Sequence, residues 1–370
     1  MLLGQIFIIA ICFYLLNKVC DEYFISSLDK ISKRLKISSD VAGTTFMAVA
    51  SSAPELSVSL IAVFKPGAHD SLGMGTIVGS ALFNLLFVVG ASIIVAGKIK
   101  FLWQTVLRDS IFYFTIILLL LVAFWDGKIV LFEALTFVIL YAIYVFLAIY
   151  WRRILPAENF FYHVEGEIVL GWREILASVK EIEEEVERPW HHPQGMFSIL
   201  KAIIDKFFSV IFINKERYLW VFFVAIGFIV FFSWQIVDAA IVIAQTLHVP
   251  EVVIALTVLG VGASIPDFLT SFLVAREGRG TMAINNAIGS NIFDILFGLG
   301  LPWLLVILLQ QQEVSLNRDG LITSVVFLFS AVALFLTMSF VRNWRLGKIS
   351  GAFFIVCYLG YLVFEVLKSL

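Results

Sequence analysis

The chain has 370 residues, 61% hydrophobic and 15% charged, with a mean hydropathy of +0.97. That balance excludes an ordinary globular domain and points to a protein that crosses a membrane many times. A formal charge of −2 without a basic stripe excludes nucleic acid as a partner, and three cysteines in apolar stretches (Cys12, Cys20, Cys357) imply no disulfide framework.

Apolar runs of bilayer-spanning length are predicted at about 3–27, 41–64, 73–96, 106–125, 129–151, 216–246, 250–273, 282–309, 319–341 and 350–367. The first lacks a basic leading region and a small-residue cleavage site, so it reads as a true helix and not a signal peptide. Asp21 and Glu22 near its end, like Asp238 in the sixth run, either line an aqueous vestibule or pair with other charges.

The second run contains Ser51-Ser52-Ala53-Pro54-Glu55. A carboxylate near the middle of a bilayer costs roughly 2.5–3.5 kcal/mol on insertion scales, so an acid there signals function. Pro54 has no N–H, which strips the carbonyl of Ala50 of its helical partner and loosens that of Ser51. Bare carbonyls, hydroxyls and a carboxylate are hard oxygens, suited to Na⁺, K⁺ or Ca²⁺. Residues three or four apart share a helix face, so Ser51, Ser52, Glu55 and Ser59 form one stripe. In the third run Ser80 stacks with Asn84 in the same way, and Gly75 and Gly79 make a close-packing pattern.

Between the fifth and sixth runs lies a polar region, 152–215, with an acidic stretch (Glu181, Glu183, Glu184, Glu185, Glu187) followed by His191 and His192. A regulatory Ca²⁺ or Zn²⁺ site is one reading of this stretch, but its spacing fits no EF-hand, and a solvated helix explains the charges. The following Met196–Phe212 segment mixes apolar runs with Lys201, Asp205 and Lys206, as suits a helix at the cytoplasmic interface.

The second half then repeats the first. Ala263-Ser264-Ile265-Pro266-Asp267 matches the Pro54 motif, with Ser271 answering Ser59 and Thr257 answering Thr45. Gly289-Ser290-Asn291-Ile292-Phe293-Asp294 matches Gly79-Ser80-Ala81-Leu82-Phe83-Asn84. Two motifs recurring in order define an internal repeat. The expected organisation is a first half at 1–151 (motif repeat about 41–97), a cytoplasmic loop at 152–215, and a second half at 216–370 (motif repeat about 250–309).

Loop charges orient the array. Lys30, Lys33, Arg34 and Lys36 follow the first run, Lys98, Lys100 and Arg108 the third, Arg276 and Arg279 the seventh, and Arg342, Arg345 and Lys348 the ninth. The other connections carry only Lys65, Lys128 and Arg318. By the positive-inside rule the central loop is cytoplasmic and both termini lie outside, in a plasma or bacterial inner membrane. Five spans per half, an odd number, make the halves insert in opposite senses. The fold class is therefore an all-α polytopic membrane protein: ten transmembrane helices in two inverted five-helix repeats, broken where the motifs meet.

These motifs resemble the cation/calcium exchanger superfamily. Gly43-Thr44-Thr45-Phe46-Met47-Ala48 through Ser52-Ala53-Pro54-Glu55, then Gly75 to Ser80 and Asn84, is similar to its first repeat. Ser264 to Asp267, Gly289 to Asp294 and Leu301-Pro302-Trp303 resemble the potassium-dependent sodium/calcium exchanger branch in particular. The resemblance implies electrogenic antiport, with Na⁺ entering and Ca²⁺ leaving, accompanied by K⁺ in that branch, and no cofactor. It implies Glu55 and Asp267 as paired Ca²⁺ carboxylates, Asp294 at the position linked to K⁺, and Na⁺ sites drawing on Ser52, Ser80, Ser264 and Ser290. Ser51, Asn84 and Ala263 complete the candidate metal-ligating set.

Two residues depart from the pattern: Ala50 stands where such exchangers often have Gly, and Ala263 where they usually have Thr. If position 263 contributes its carbonyl the change costs little; if a hydroxyl binds Na⁺ there, that site is weakened. An acid at the position of Asp294 also occurs in potassium-independent relatives, so K⁺ dependence stays open. Among other classes, a proton/calcium exchanger fits the serines poorly, and a channel needs no inverted pair of acids. An intramembrane aspartyl protease needs a Gly-x-Gly-Asp motif, which this sequence lacks.

Overall fold

A computed structural model describes residues 2–34, 51–67, 69–100, 103–154, 196–212, 217–315 and 318–369. Thr45, Ala50, Glu181 to Glu187, His191 and His192 lie outside the described residues. In lipid the backbone must satisfy its own polar groups, and the long apolar runs accordingly fold as helices. In chain order these are α1 (2–34), α2 (Ala53–Phe64), α3 (Asp70–Ala96), α4 (Trp103–Ala123), α5 (Leu131–Ile154), α6 (Met196–Ile211), α7 (Tyr218–Leu247), α8 (Glu251–Ala263), α9 (Ile265–Arg276), α10 (Gly280–Gln310), α11 (Arg318–Val341) and α12 (Lys348–Ser369).

Six of these contain stretches long and apolar enough to cross a membrane alone: Leu2–Leu28, Asp70–Ala96, Tyr218–Leu247, Gly280–Gln310, Leu321–Val341 and Lys348–Lys368. The pair α8 and α9, bent by 45°, forms a seventh, broken at the Ser264-Ile265-Pro266 motif. Three shorter apolar helices, Ala53–Phe64, Asp109–Ala123 and Leu131–Leu147, fall on expected spans.

Four of the helices carry a wide turn that closes one residue later than an α-turn: Cys20–Phe24 in α1, Phe83–Val88 in α3, Ala255–Leu259 in α8 and Asp294–Leu299 in α10. Such π segments rotate the residues that follow and recur at functional sites. Asn84 and Asp294, equivalent in the repeat, both sit at the start of one.

Short strands tie distant connections together. β1 (Lys98–Lys100), between α3 and α4, pairs antiparallel with β4 (Arg345–Gly347), between α11 and α12. β2 (Lys128–Ile129), between α4 and α5, pairs with β3 (Val314–Ser315), between α10 and α11.

Two apolar cores result. The larger gathers α3, α4, α5, α10, α11 and α12, with Trp303, Tyr113, Phe124 and Phe335 among its fully buried side chains. The smaller joins α1 to α7, and α6, from the segment between the two halves, packs against it. Phe212, just after α6, stacks on Tyr23 at 3.9 Å, and Phe208 of α6 meets Phe228 edge-on. The expected interfacial helix is thus docked on α1, where Asp205 pairs with Lys18 at 2.8 Å and Lys18 also holds Glu22. Asp238 pairs with Lys65. For Glu22 and Asp238, of the two readings left open by the sequence, paired charges is the one observed.

Candidate ion-binding site

The site begins with two prolines. Each occupies the first turn of its helix, α2 or α9, where the missing N–H costs nothing. The residue before each helix, Ser52 or Ser264, leaves helical geometry in nearly the same way (φ −97°, ψ 15° and φ −85°, ψ 6°). At the second break the Ser264 N–H reaches the Gly260 carbonyl at a long 3.4 Å. Glu55 and Asp267 follow at once, in the first turns of α2 and α9, where N–H groups and the helix dipole favour negative charge.

Glycine brings the two halves together. α3 crosses α8 at Gly79 and Gly260: a methyl group on Gly79 would lie 2.4 Å from the Leu256 carbonyl oxygen, and one on Gly260 2.7 Å from the Gly79 carbonyl carbon. The glycine pattern is therefore a packing device. Its consequence is to seat Ser80 beside Ser264, with the hydroxyls 2.5 Å apart. Both approach Glu55 Oε1, at 3.3 and 3.4 Å. On the other side Asn84 Nδ2 donates to Asp267 Oδ2 at 2.8 Å, and more weakly to Ser290 Oγ at 3.4 Å.

One carboxylate oxygen from each of Glu55, Asp267 and Asp294 lies within 4.8 Å of the others, and all three residues are buried. Among the described residues, Glu55 Oε2, Asn84 Oδ1 and both oxygens of Asp294 lack a hydrogen-bond partner. Ser52 adjoins Asp294, but its hydroxyl makes no hydrogen bond of normal geometry there. Among the described residues no lysine or arginine is bonded to these three buried acids, so a cation or protonation would have to offset their charge. The oxygens supply the hard ligand set that Ca²⁺, Na⁺ or K⁺ takes.

Of the sequence candidates, Ser52, Glu55, Ser80, Asn84, Ser264, Asp267, Ser290 and Asp294 converge. Ala263 is buried directly before Ser264 and has only its backbone to offer. Ser51 is half-buried at the edge of the cluster. Ser271, expected on the same stripe, turns away: it donates to the Ala283 carbonyl at 3.2 Å and accepts from Asn286. Ser59 packs against Gly73 where α2 and α3 touch.

The sequence missed three contributors. Ser57 bonds Ser233 of α7 at 2.6 Å and the Pro54 carbonyl at 3.0 Å, tying α2 to α7. Phe13 of α1 closes over Gly262, where a methyl group would meet its ring at 2.4 Å. Asn291 accepts from Asn84 at 3.2 Å. Only Asn291 had a local signal, as the residue after Ser290 in the repeated motif.

Fold and site together define a multi-pass membrane protein built to hold cations between two halves of its own chain. The sodium/calcium exchanger protein family matches residues 5–150 and 217–367, and the chain belongs to that family. It is 29% identical over 496 aligned positions to sodium/potassium/calcium exchanger 4 of Homo sapiens, covering 96% of this chain and 79% of the relative. Sodium/potassium/calcium exchanger 5 of Homo sapiens is 28% identical over 425 positions, covering 98% and 83%. Among solved structures, an H⁺/Ca²⁺ exchanger, CAX, superposes with a TM-score of 0.66 at 13% identity, over 100% of this chain and 86% of that one. The sodium-calcium exchanger NCX_Mj does so at 0.54 and 20% identity, over 98% and 99%. Transport, not catalysis, is the activity of the family.

Proposed function

We propose that the chain is a secondary active antiporter that exchanges Na⁺ for Ca²⁺, with K⁺ travelling beside Ca²⁺, by alternating access. The observation that carries this reading is the buried cluster of Glu55, Asp267 and Asp294. If all are ionised they hold three negative charges. One Ca²⁺ plus one K⁺ cancels them, as do three Na⁺; a fourth Na⁺ makes each cycle move net charge. An empty site leaves uncompensated charge in a poorly solvated cavity, which disfavours crossing unloaded and so enforces exchange.

Glu55 and Asp267 are the Ca²⁺ carboxylates in this scheme, and Asp294 holds K⁺. Ser52, Ser80, Ser264 and Ser290 serve Na⁺, with the Asn84 amide oxygen and the carbonyls of Ser51 and Ala263 completing the shell. The names of the relatives support potassium as a third ion.

In the same reading the two halves, 1–151 and 216–370, form ten spans related by a pseudo-two-fold axis in the membrane plane, with both termini outside and 152–215 cytoplasmic. The pairings support this topology. β1·β4 and Lys18–Asp205 join segments that loop charge assigns to the inside. β2·β3, Lys128–Glu313, Lys65–Asp238 and His69–Glu251 join segments assigned to the outside. Exchange of the two halves also maps one strand pair onto the other. The protein would act in a plasma or bacterial inner membrane.

The test is Ca²⁺ uptake into sealed vesicles containing the purified protein, driven by an outward Na⁺ gradient, with and without K⁺. Uptake that follows a pH gradient and ignores Na⁺ would replace this reading with proton/calcium exchange. Uptake without any countersubstrate would replace it with a channel.

A further inference from the structure

We propose that Tyr113 is a positioning residue of the ion site, acting through Asn291 to hold the Asn84 amide with its carbonyl oxygen free for a cation. The inference rests on the cation-binding reading above and extends it to α4, a helix outside both repeated motifs. An asparagine beside a cation is useful in one orientation only, because one end of the amide accepts and the other donates. Here the donor end faces Asp267 at 2.8 Å and Asn291 Oδ1 at 3.2 Å, and Asn84 Oδ1 is left buried without a partner.

What fixes that orientation is the next amide along. Asn291 spends both N–H bonds elsewhere, on the Ala81 carbonyl at 3.0 Å and on the Tyr113 hydroxyl at 3.1 Å. It can therefore offer Asn84 only its oxygen. Turning Asn84 over would set its oxygen against two acceptors at once, Asp267 Oδ2 and Asn291 Oδ1. Turning Asn291 over would put an oxygen against the Ala81 carbonyl. The Ala81 carbonyl thus decides which end of Asn291 faces Asn84, and the Tyr113 hydroxyl, which can donate or accept, holds that amide in place; Tyr113 and Asn291 are both fully buried. Tyr141 of α5 is a contrasting case: its ring is buried, but its hydroxyl has no hydrogen-bond partner among the described residues.

The test compares Tyr113→Phe, Tyr141→Phe, Asn84→Ala and the Tyr113→Phe/Asn84→Ala double variant in reconstituted vesicles. Losing one buried hydrogen bond from the relay should raise the half-saturating Ca²⁺ concentration about three- to tenfold in Tyr113→Phe. Its maximal rate should stay within about twofold of the wild type. Tyr141→Phe should leave both quantities unchanged, and Tyr113→Phe should add nothing once Asn84 is Ala, since one acts through the other. Unaltered half-saturation in Tyr113→Phe, or effects that multiply in the double variant, would overturn the proposal. If Tyr113→Phe fails to fold, Tyr113→Leu, which also removes the hydroxyl, runs the same cycle with Asn84→Ala and the same deciding outcomes. Calorimetric titration of the detergent-purified proteins with Ca²⁺ repeats the comparison without transport. A wild type that binds Ca²⁺ but does not exchange it for Na⁺ would sink the antiport reading while the affinities still decide the role of Tyr113.

Discussion

Glu55 and Asp267 occupy equivalent places after equivalent prolines, and each brings a full charge to the cavity when ionised. Glu55→Gln or Asp267→Asn keeps the volume and removes the charge, so each should abolish Na⁺-driven Ca²⁺ uptake while the protein still purifies as a folded monodisperse species. Near-normal uptake by either variant would end the paired-carboxylate mechanism. Asp294 is different because its repeat partner is the neutral Asn84. It adds one charge to one side of the site, where a large, weakly hydrated monovalent ion can rest beside Ca²⁺. The wild type should then need K⁺ for exchange, and Asp294→Asn should lose that need while retaining some transport. Equal wild-type rates in K⁺-free and K⁺-containing buffer would assign Asp294 to Na⁺ or to structure. These acids, and the serines beside them, were legible in the sequence because the chain states them twice. Tyr113, Ser233 and Phe13 were not, since each meets the site from a helix far away in sequence and carries no motif of its own.

At the scale of helices, the break at Pro266 and the turn before Pro54 followed from the absent N–H. The π segments did not: Phe83–Val88 and Asp294–Leu299 are apolar apart from Asn84 and Asp294, and nothing in their sequence marks a wider turn. The crossing of α3 and α8 was half legible, as a glycine pattern without its partner. Gly79→Ala forces a methyl group into the backbone of Leu256, and overpacking of this kind costs roughly 1–3 kcal/mol. Its melting temperature in detergent should fall clearly. Gly227→Ala, in α7 with nothing within 4 Å of the added carbon, should melt at or above the wild-type temperature. A Gly79→Ala protein as stable as the wild type would mean that the crossing is looser than described.

At the scale of the molecule, single cysteines placed at Lys65, Lys128 and Glu313 should react with an impermeant reagent from outside, and those at Lys98 and Arg345 only after permeabilisation. External labelling of the central loop would overturn the orientation. The two strand pairs also have a mechanical consequence. They act as rivets, one set on each membrane face in the proposed topology, and between them they fasten the ends of α3, α4, α5, α10, α11 and α12. The described strands lie in the connections of those six helices and not beside α1 or α7, which share a separate core and lean on α8 and α2 through Phe13 and Ser233. On the proposed function, the ions would bind beside the place where this unriveted pair meets α2 and α8. A disulfide across β1 and β4 should leave exchange intact, and one joining α7 to α2 in place of the Ser233–Ser57 bond should stop it, because a frame can be locked to itself without cost but not to its shutter.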